Sequence, residues 1–199
     1  MRIYGIIYTY MPKIYIPVAA RPPQAHKRAI LYSVSSVSLA ARVLGKADKV
    51  REYLAQELEK QGFSVEVYRL NPFKYLTPKG INGKKVLADI PVLEFRKKYD
   101  VVFVIADVQS FSTTNERNLH WSIPMGPEIP WYAAEKTTVF ISVANPFHLY
   151  DVPMVPVCIN TYNGSREAIR PAVEKITGKS EFKGNSPVDA FCGMWDTRL

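Results

Sequence analysis

Val101-Val102-Phe103-Val104-Ile105-Ala106 is an unbroken apolar run of strand-forming residues, flanked by Asp100 and Asp107. A strand with one wet face alternates apolar and polar side chains, whereas a strand covered on both faces does not need to. The run therefore predicts a central strand over Asp100–Val108. The signal recurs in Thr-Thr-Val-Phe-Ile-Ser-Val-Ala at Thr137–Ala144 and again at Val155–Thr161. Three such strands, separated by stretches long enough for helices, point to a sheet buried in the middle of a layered domain.

Outward from this core the pattern alternates strand and helix. Ala29–Ser35 is a short apolar run and predicts the first strand. Asp48 is placed to cap a helix whose Val50, Tyr53, Leu54 and Leu58 fall on one face. Gly62 is placed to stop it in the left-handed C′ position. Phe63–Tyr68 alternates and predicts a half-buried strand. Asn71–Gly83, with Pro72, Pro78, Gly80 and Gly83, predicts a loop. Pro91–Lys98 predicts a helix with proline in its first turn, and Trp131–Glu135 a short one.

A last helix puts Ile169, Ala172, Val173 and Ile176 on one face, with Ser165 as its N-cap. Pro171 lies inside it. An internal proline removes a hydrogen bond and costs about 3 kcal/mol, so a kink or a late helix start is expected there. The expected fold is α/β: a three-layer sandwich with a mostly parallel central sheet and helices on both faces, reached by right-handed crossovers. In such sheets ligands collect at the carboxyl ends of the strands. Here those ends are Asp107–Thr114, Asn145–Tyr150 and Tyr162–Gly164.

Bulk properties exclude several classes of function. The chain has 199 residues and a net charge of +8. Residues 1–47 carry seven Lys/Arg and no acid, which leaves about +1 for everything after them. The body is nearly neutral, and no nucleic-acid partner is expected; the basic leader is read as a solvated arm or a segment lying on the domain. Residues 1–20 resemble a signal peptide only faintly, because Pro12 and Lys13 interrupt the apolar run, and an edge strand or wrapping arm is expected instead. No membrane span is expected. Arg21-Pro22-Pro23-Gln24 reads as a linker, so residues 1–28 are taken as an arm and 29–199 as the domain. The cytoplasm is the expected compartment, with secretion as the alternative. Cys158 and Cys192 are too few for a disulfide framework and are read as buried small hydrophobes. No metal and no cofactor are implied.

Known catalytic signatures are missing. Gly178-Lys179-Ser180 imitates the end of a phosphate-binding loop, but position 173 is Val where the leading Gly belongs, and the tripeptide follows a helix rather than preceding one. There is no Gly-x-Gly-x-x-Gly and no Gly-x-Ser-x-Gly. Ser33, Ser35, Ser36 and Ser38 read as a polar loop after the first strand. Asn115-Glu116-Arg117-Asn118-Leu119-His120-Trp121 is dense in groups that bind sugars: amides and a guanidinium donate to hydroxyls, and an indole offers a flat apolar face. The same stretch also reads as a polar loop pinned to the core by its Trp. Asn145-Pro146-Phe147-His148 follows a central strand, and His148 either orients a ligand or bonds to backbone. The candidate substrate-binding residues are therefore Asn115, Arg117, His120, Trp121, Asn145 and His148. His26 falls in the linker. A retaining glycosidase needs two carboxyl groups about 5–5.5 Å apart. Asp107, Glu116 and Glu128 fall in suitable segments, but no spacing selects a pair.

From about Asp100 to its end the chain resembles the C-terminal α/β domain of glycoside hydrolase family three. The pieces that carry the likeness are Val101–Ala106, Trp121-Ser122-Ile123-Pro124-Met125-Gly126, Val139–Leu149 and Tyr162-Asn163-Gly164. They continue with Lys175–Ser180, Lys183-Gly184 and Ser186-Pro187-Val188-Asp189. Phe191–Arg198 resembles the bacterial β-N-acetylglucosaminidase branch, although Ala190 stands where that branch commonly has proline. A weaker likeness reaches back to Ala29, for roughly 85% of the chain. The resemblance implies a carbohydrate-processing role and an all-important partner: in this family a preceding (β/α) barrel, commonly of about 250 residues, carries the aspartate nucleophile. In the glucosaminidase branch the barrel also carries the acid/base histidine. Only 28 residues precede the first strand here, so the chain is expected to be non-catalytic alone, with no catalytic residue of its own. Its expected partners are carbohydrate and a barrel domain or chain, or a second copy covering an apolar face. The alternative is a freestanding carbohydrate-binding or regulatory module; a flavodoxin-like enzyme is a third and fainter reading.

Overall fold

The computed structural model describes residues 27–35, 49–68, 90, 92–108, 119 and 130–183. Their elements, in chain order, are β1 (Arg28–Ser35), α1 (Lys49–Lys60), β2 (Ser64–Val67), α2 (Val92–Lys98), β3 (Val101–Asp107), β4 (Thr137–Ser142), β5 (Val157–Asn160) and α3 (Arg166–Ile176). Short 3-10 turns at Trp131–Ala134 and Pro146–Asp151 flank β4. The expected Asn71–Gly83 loop lies outside the described residues.

The five strands form one sheet in the order β2-β1-β3-β4-β5, and all four pairings are parallel. β3 is central, pairing Ala29–Ser35 of β1 with Val101–Asp107 on one side and Val101–Ala106 with Thr137–Ser142 on the other. That position explains its composition: Val101–Ala106 is buried throughout. The chain steps in one direction through β1 and β2, then reverses across β1 to β3, which is the kind of switch point where α/β sheets bind ligands.

Side-chain alternation divides the core between two faces. Val101, Phe103 and Ile105 pack with Leu54 and Leu58 of α1 and Ile169, Val173 and Ile176 of α3. Val102, Val104 and Ala106 pack with Phe95 of α2, Tyr132, Leu149 and Cys158. Helices on both faces make the three-layer sandwich expected from the strand composition. On the second face an aromatic stack is built from Tyr32, Tyr132 and Phe95, with ring centroids 5.4 and 5.6 Å apart; Trp131 joins Phe95 at 5.1 Å while remaining partly exposed.

Two helices end by the same device. Gly62 has φ 89° and Gly178 has φ 76°. After α1, the Gly62 N–H bonds the Glu59 carbonyl and the Phe63 N–H bonds that of Leu58; after α3, the Gly178 N–H bonds Lys175 and the Lys179 N–H bonds Glu174. These paired bonds satisfy carbonyls that the helix leaves open, and they require a residue that tolerates the left-handed region. Gly178-Lys179 is thus a helix stop. Replacing Gly62 by Ala is expected to cost about 1–2 kcal/mol, because a Cβ strains that conformation; a urea midpoint unchanged from wild type would refute this.

Pro171 does not delay α3. The helix runs unbroken from Arg166 to Ile176 with Pro171 inside it. Proline removes one N–H, but Ala168, Ile169, Ala172, Val173 and Ile176 are all buried along one face, and each large apolar side chain buried contributes about 1.5–3 kcal/mol. The packed face outweighs the missing bond. Ser165 occupies the N-cap position, yet its side chain bonds no backbone N–H of the helix; instead its own N–H donates to Asn163 Oδ1 at 2.7 Å. Ser33 and Ser35 lie within β1 rather than in a loop after it, and Ser36 and Ser38 lie outside the described residues.

Surface ion pairs tie neighbouring elements. Arg28, the first residue of β1, meets Asp100 at 3.2 Å, and its hydrogen bonds hold that carboxyl below its ordinary range. Arg96 of α2 grips Glu135 through two bonds of 2.5 and 2.6 Å. Pairs this exposed contribute little each. Glu57 differs: it is buried, and Lys60 Nζ reaches it at 2.6 Å.

Candidate functional site at the carboxyl ends of the strands

The last residues of β1, β3, β4 and β5 are Ser35, Asp107, Ser142 and Asn160, polar residue types where the apolar runs stop. Pairing aligns Ser35 with Asp107, Ala106 with Ser142, and Ser142 with Asn160. Ser142 and Asn160 are buried, as is Thr161 beyond them. Polar groups buried in this way need partners, and most of this row finds them locally.

Asn145, His148 and Ser142 close a circuit. The Asn145 side-chain oxygen accepts from the Phe147 N–H at 2.9 Å, which fixes which end of the amide faces the imidazole. Its Nδ2 then lies 3.1 Å from His148 Nε2. Since Nδ2 can only donate, Nε2 is the accepting nitrogen and the ring carries its proton on Nδ1. Nδ1 sits 2.9 Å from Ser142 Oγ, and the Ser142 hydroxyl donates onward to the Asn145 carbonyl at 2.6 Å. Every member therefore has a partner of the right sense. His148 is 0% exposed, and burial pushes its pKa down to about 4, against a weaker backbone hydrogen bond at Val108. The ring is neutral at pH 7.

Asn145 is placed by its role as the cap of the Pro146–Asp151 turn: it is extended, followed by a proline, and accepts from Phe147. Thr161 extends the row. Its N–H bonds the Ser142 carbonyl at 2.9 Å and its hydroxyl donates to the Asn163 carbonyl at 2.9 Å. Tyr162 follows with φ 55°, a left-handed conformation that non-glycine residues adopt at a cost.

Of the six residues expected to bind substrate, Asn145 and His148 are brought together. Asn115, Arg117, His120 and Trp121 lie outside the described residues, as do Glu116 and Glu128. Leu119, within that same stretch, is described: it is buried against the His148-side core, and its N–H donates to Asp151 Oδ2 at 2.7 Å. The backbone at Leu119 is thus fastened to the end of the turn that carries His148. Ser142, Asn160 and Thr161 were not singled out from sequence. The available signal was a polar residue terminating an apolar run, Phe-Ile-Ser and Cys-Ile-Asn. Cys158 is buried, and burial pushes its thiol up to about 12, so it is an inert core group; Cys192 lies outside the described residues. Among the described residues there is no cluster of three metal-ligating side chains and no helix long and apolar enough to cross a membrane. A shallow depression of about 490 Å3 lies among Leu93, Glu94, Lys97 and Lys98 of α2; it gathers side chains of one surface helix and touches none of the polar row.

No protein-family model matches the chain. A curated protein from Cellulomonas fimi, beta-N-acetylglucosaminidase/beta-glucosidase, is 40% identical over 109 residues, which is 55% of this chain. Among solved structures, beta-glucoside phosphorylase BglX superposes over 98% of this chain with a TM-score of 0.69 and 29% identity. The chain is similar to the C-terminal α/β domain of glycoside hydrolase family three. A family-three β-N-acetylglucosaminidase from Paenibacillus sp. str. FPU-7 shares the fold over 94% of this chain, with a TM-score of 0.52 and 14% identity. The family-three relatives are much longer: this chain spans 19% of the Cellulomonas protein and 31% of the phosphorylase.

Proposed function

We propose that this chain serves as the C-terminal domain of a family-three carbohydrate-processing enzyme and has no glycosidase turnover alone. The observation that carries the reading is the whole-domain likeness to beta-glucoside phosphorylase BglX, 98% of this chain at 29% identity. The Cellulomonas relative, whose name also specifies a glycoside-cleaving enzyme, supports it. Sugar cleavage with retention needs two facing carboxyl groups. Of the five strand-terminal residues only Asp107 is acidic, and the neighbouring groups are amides, hydroxyls and a neutral imidazole. Such groups orient hydroxyls; they do not supply a nucleophile. A barrel, in the same polypeptide or as a separate chain, supplies it in this reading.

In this arrangement Asn145 contacts substrate together with Asn115, Arg117, His120 and Trp121. His148, closed off by Ser142 and Asn145, acts by holding the Asn145 amide in place. The test is release of nitrophenol from aryl β-glucosides and aryl β-N-acetylglucosaminides. The pure chain is expected to give no release above the uncatalysed rate. Robust turnover by the chain alone, abolished by Glu116→Gln, would refute the reading.

A further inference from the structure

We infer that Tyr162 is a ligand contact at the carboxyl edge of the sheet, where its ring packs against the C–H face of a neutral pyranose. This rests on the carbohydrate reading above and deepens it by naming the residue that takes the apolar face of the sugar.

Tyr162 follows β5 by two residues and has φ 55°, the one non-glycine residue at positive φ among the described residues. A bulky side chain stays in that region only where its surroundings over-determine it, and such residues cluster at functional sites. The turn has better-suited residues within reach. Asn163 and Gly164 come next, and both types enter the left-handed region more easily than an aromatic one. The chain nevertheless gives that position to Tyr162, and the stability of the turn does not account for a tyrosine there.

The loop leaves Tyr162 no freedom to relax. Before it, the Thr161 N–H bonds the Ser142 carbonyl at 2.9 Å, and the Thr161 hydroxyl donates across Tyr162 to the Asn163 carbonyl at 2.9 Å. After it, Asn163 Oδ1 accepts from the Ser165 N–H at 2.7 Å. A Cβ at Gly164 would come within 2.8 Å of Val50 Cγ2 and 3.5 Å of Val143 Cγ2, so the backbone is packed between α1 and the end of β4. The Ser142 carbonyl also ties this loop to the circuit that sets the Asn145 amide. Tyr162 is partly exposed, so a ligand meets it from solvent without entering the core. The edge then offers a flat aromatic face beside an uncharged amide and a neutral imidazole. A pyranose matches that set, with C–H groups on its faces and hydroxyls around its rim. A ring held in place before the ligand arrives is a preorganised contact.

The experiment uses the full chain, labelled with 15N and titrated with methyl β-D-glucopyranoside. The backbone amides of Tyr162 and Asn163 are expected to shift on saturation. Tyr162→Phe keeps the ring and should bind within about threefold of wild type. Tyr162→Asn removes the ring but suits the left-handed backbone, and it should raise Kd about tenfold. Its thermal midpoint should lie within about 2 °C of wild type or above it. Equal binding by Tyr162→Asn and wild type overturns the inference and leaves the carbohydrate reading standing. A loss in Tyr162→Phe as large as in Tyr162→Asn also overturns it, because the hydroxyl and not the ring face would then be the contact. A midpoint in Tyr162→Asn more than about 2 °C below wild type shows a tyrosine kept for the fold, and sinks the inference too. No binding by wild type overturns it and takes the sugar contact out of the reading beneath it; the nitrophenol assay tests the rest of that reading separately.

Discussion

Phe103→Ala is expected to destabilise the domain by about 3–5 kcal/mol, the cost of emptying a buried aromatic site. Phe103 is at the middle of the central strand and fully buried. It pairs through the backbone with Leu31 on one side and Val139 on the other. Its ring meets Phe63 edge-on with centroids 5.4 Å apart, and the same cluster includes Leu54 and Leu58 of α1 with Ile169 and Val173 of α3. Removing the ring opens a void between the sheet and both helices of that face. The backbone cannot collapse into it, because β3 is hydrogen-bonded on both edges. Urea unfolding at pH 7 measures the loss; at about 2–4 °C per kcal/mol for a domain of this size, the thermal midpoint should fall by roughly 10 °C. A loss under about 1 kcal/mol would mean that the face is not packed as described.

Acid is expected to cost the domain about 3 kcal/mol through His148 alone. Its pKa is about 4 in the folded protein, against an ordinary value near 6.5 when unfolded. Between these values the unfolded chain binds a proton that the folded chain refuses, so stability rises with pH there. The contribution is fully present above about pH 6.5 and is lost as the pH falls towards 4. Asp100 and Glu135, held low by hydrogen bonds from Arg28 and Arg96, lose stability in the same direction. The measurement must therefore be a difference. Wild type and His148→Gln are unfolded in urea at pH 7 and pH 4, and the wild type should lose about 3 kcal/mol more than the variant. Parallel losses would show that the imidazole takes up its proton without leaving the Ser142–Asn145 circuit.

The strands were legible because burial on both faces leaves a mark in composition. Val101–Ala106 and Val139–Ile141 are unbroken apolar runs, and the observed limits of β3 and β4 fall within two residues of those expected. Helix stops were legible as well, since Gly62 meets a backbone requirement that few other residues meet. Pro171 misled about where α3 starts, because the local cost of a proline is visible in sequence, while the apolar face that overrides it depends on what α3 packs against. The site was half legible. Asn145 and His148 stood out by residue type after a strand, but their partner Ser142 looked like an ordinary strand end. Asn160 looked like another.

Local chemistry marks most of the strands and helices here, because periodicity and the left-handed glycines act over a few residues; the run of α3 through Pro171 is the exception. Strand order is a different matter: that β3 lies between β1 and β4, and that the row Asp107, Ser142, Asn160 lines up at one edge, follows from pairing between residues far apart in the chain. The same holds for the proton on His148, which is set by burial and by an amide and a hydroxyl brought to its two nitrogens by the closing turn. A hydrogen bond's worth depends on whether water can compete for it, and that is fixed only once the layers have packed.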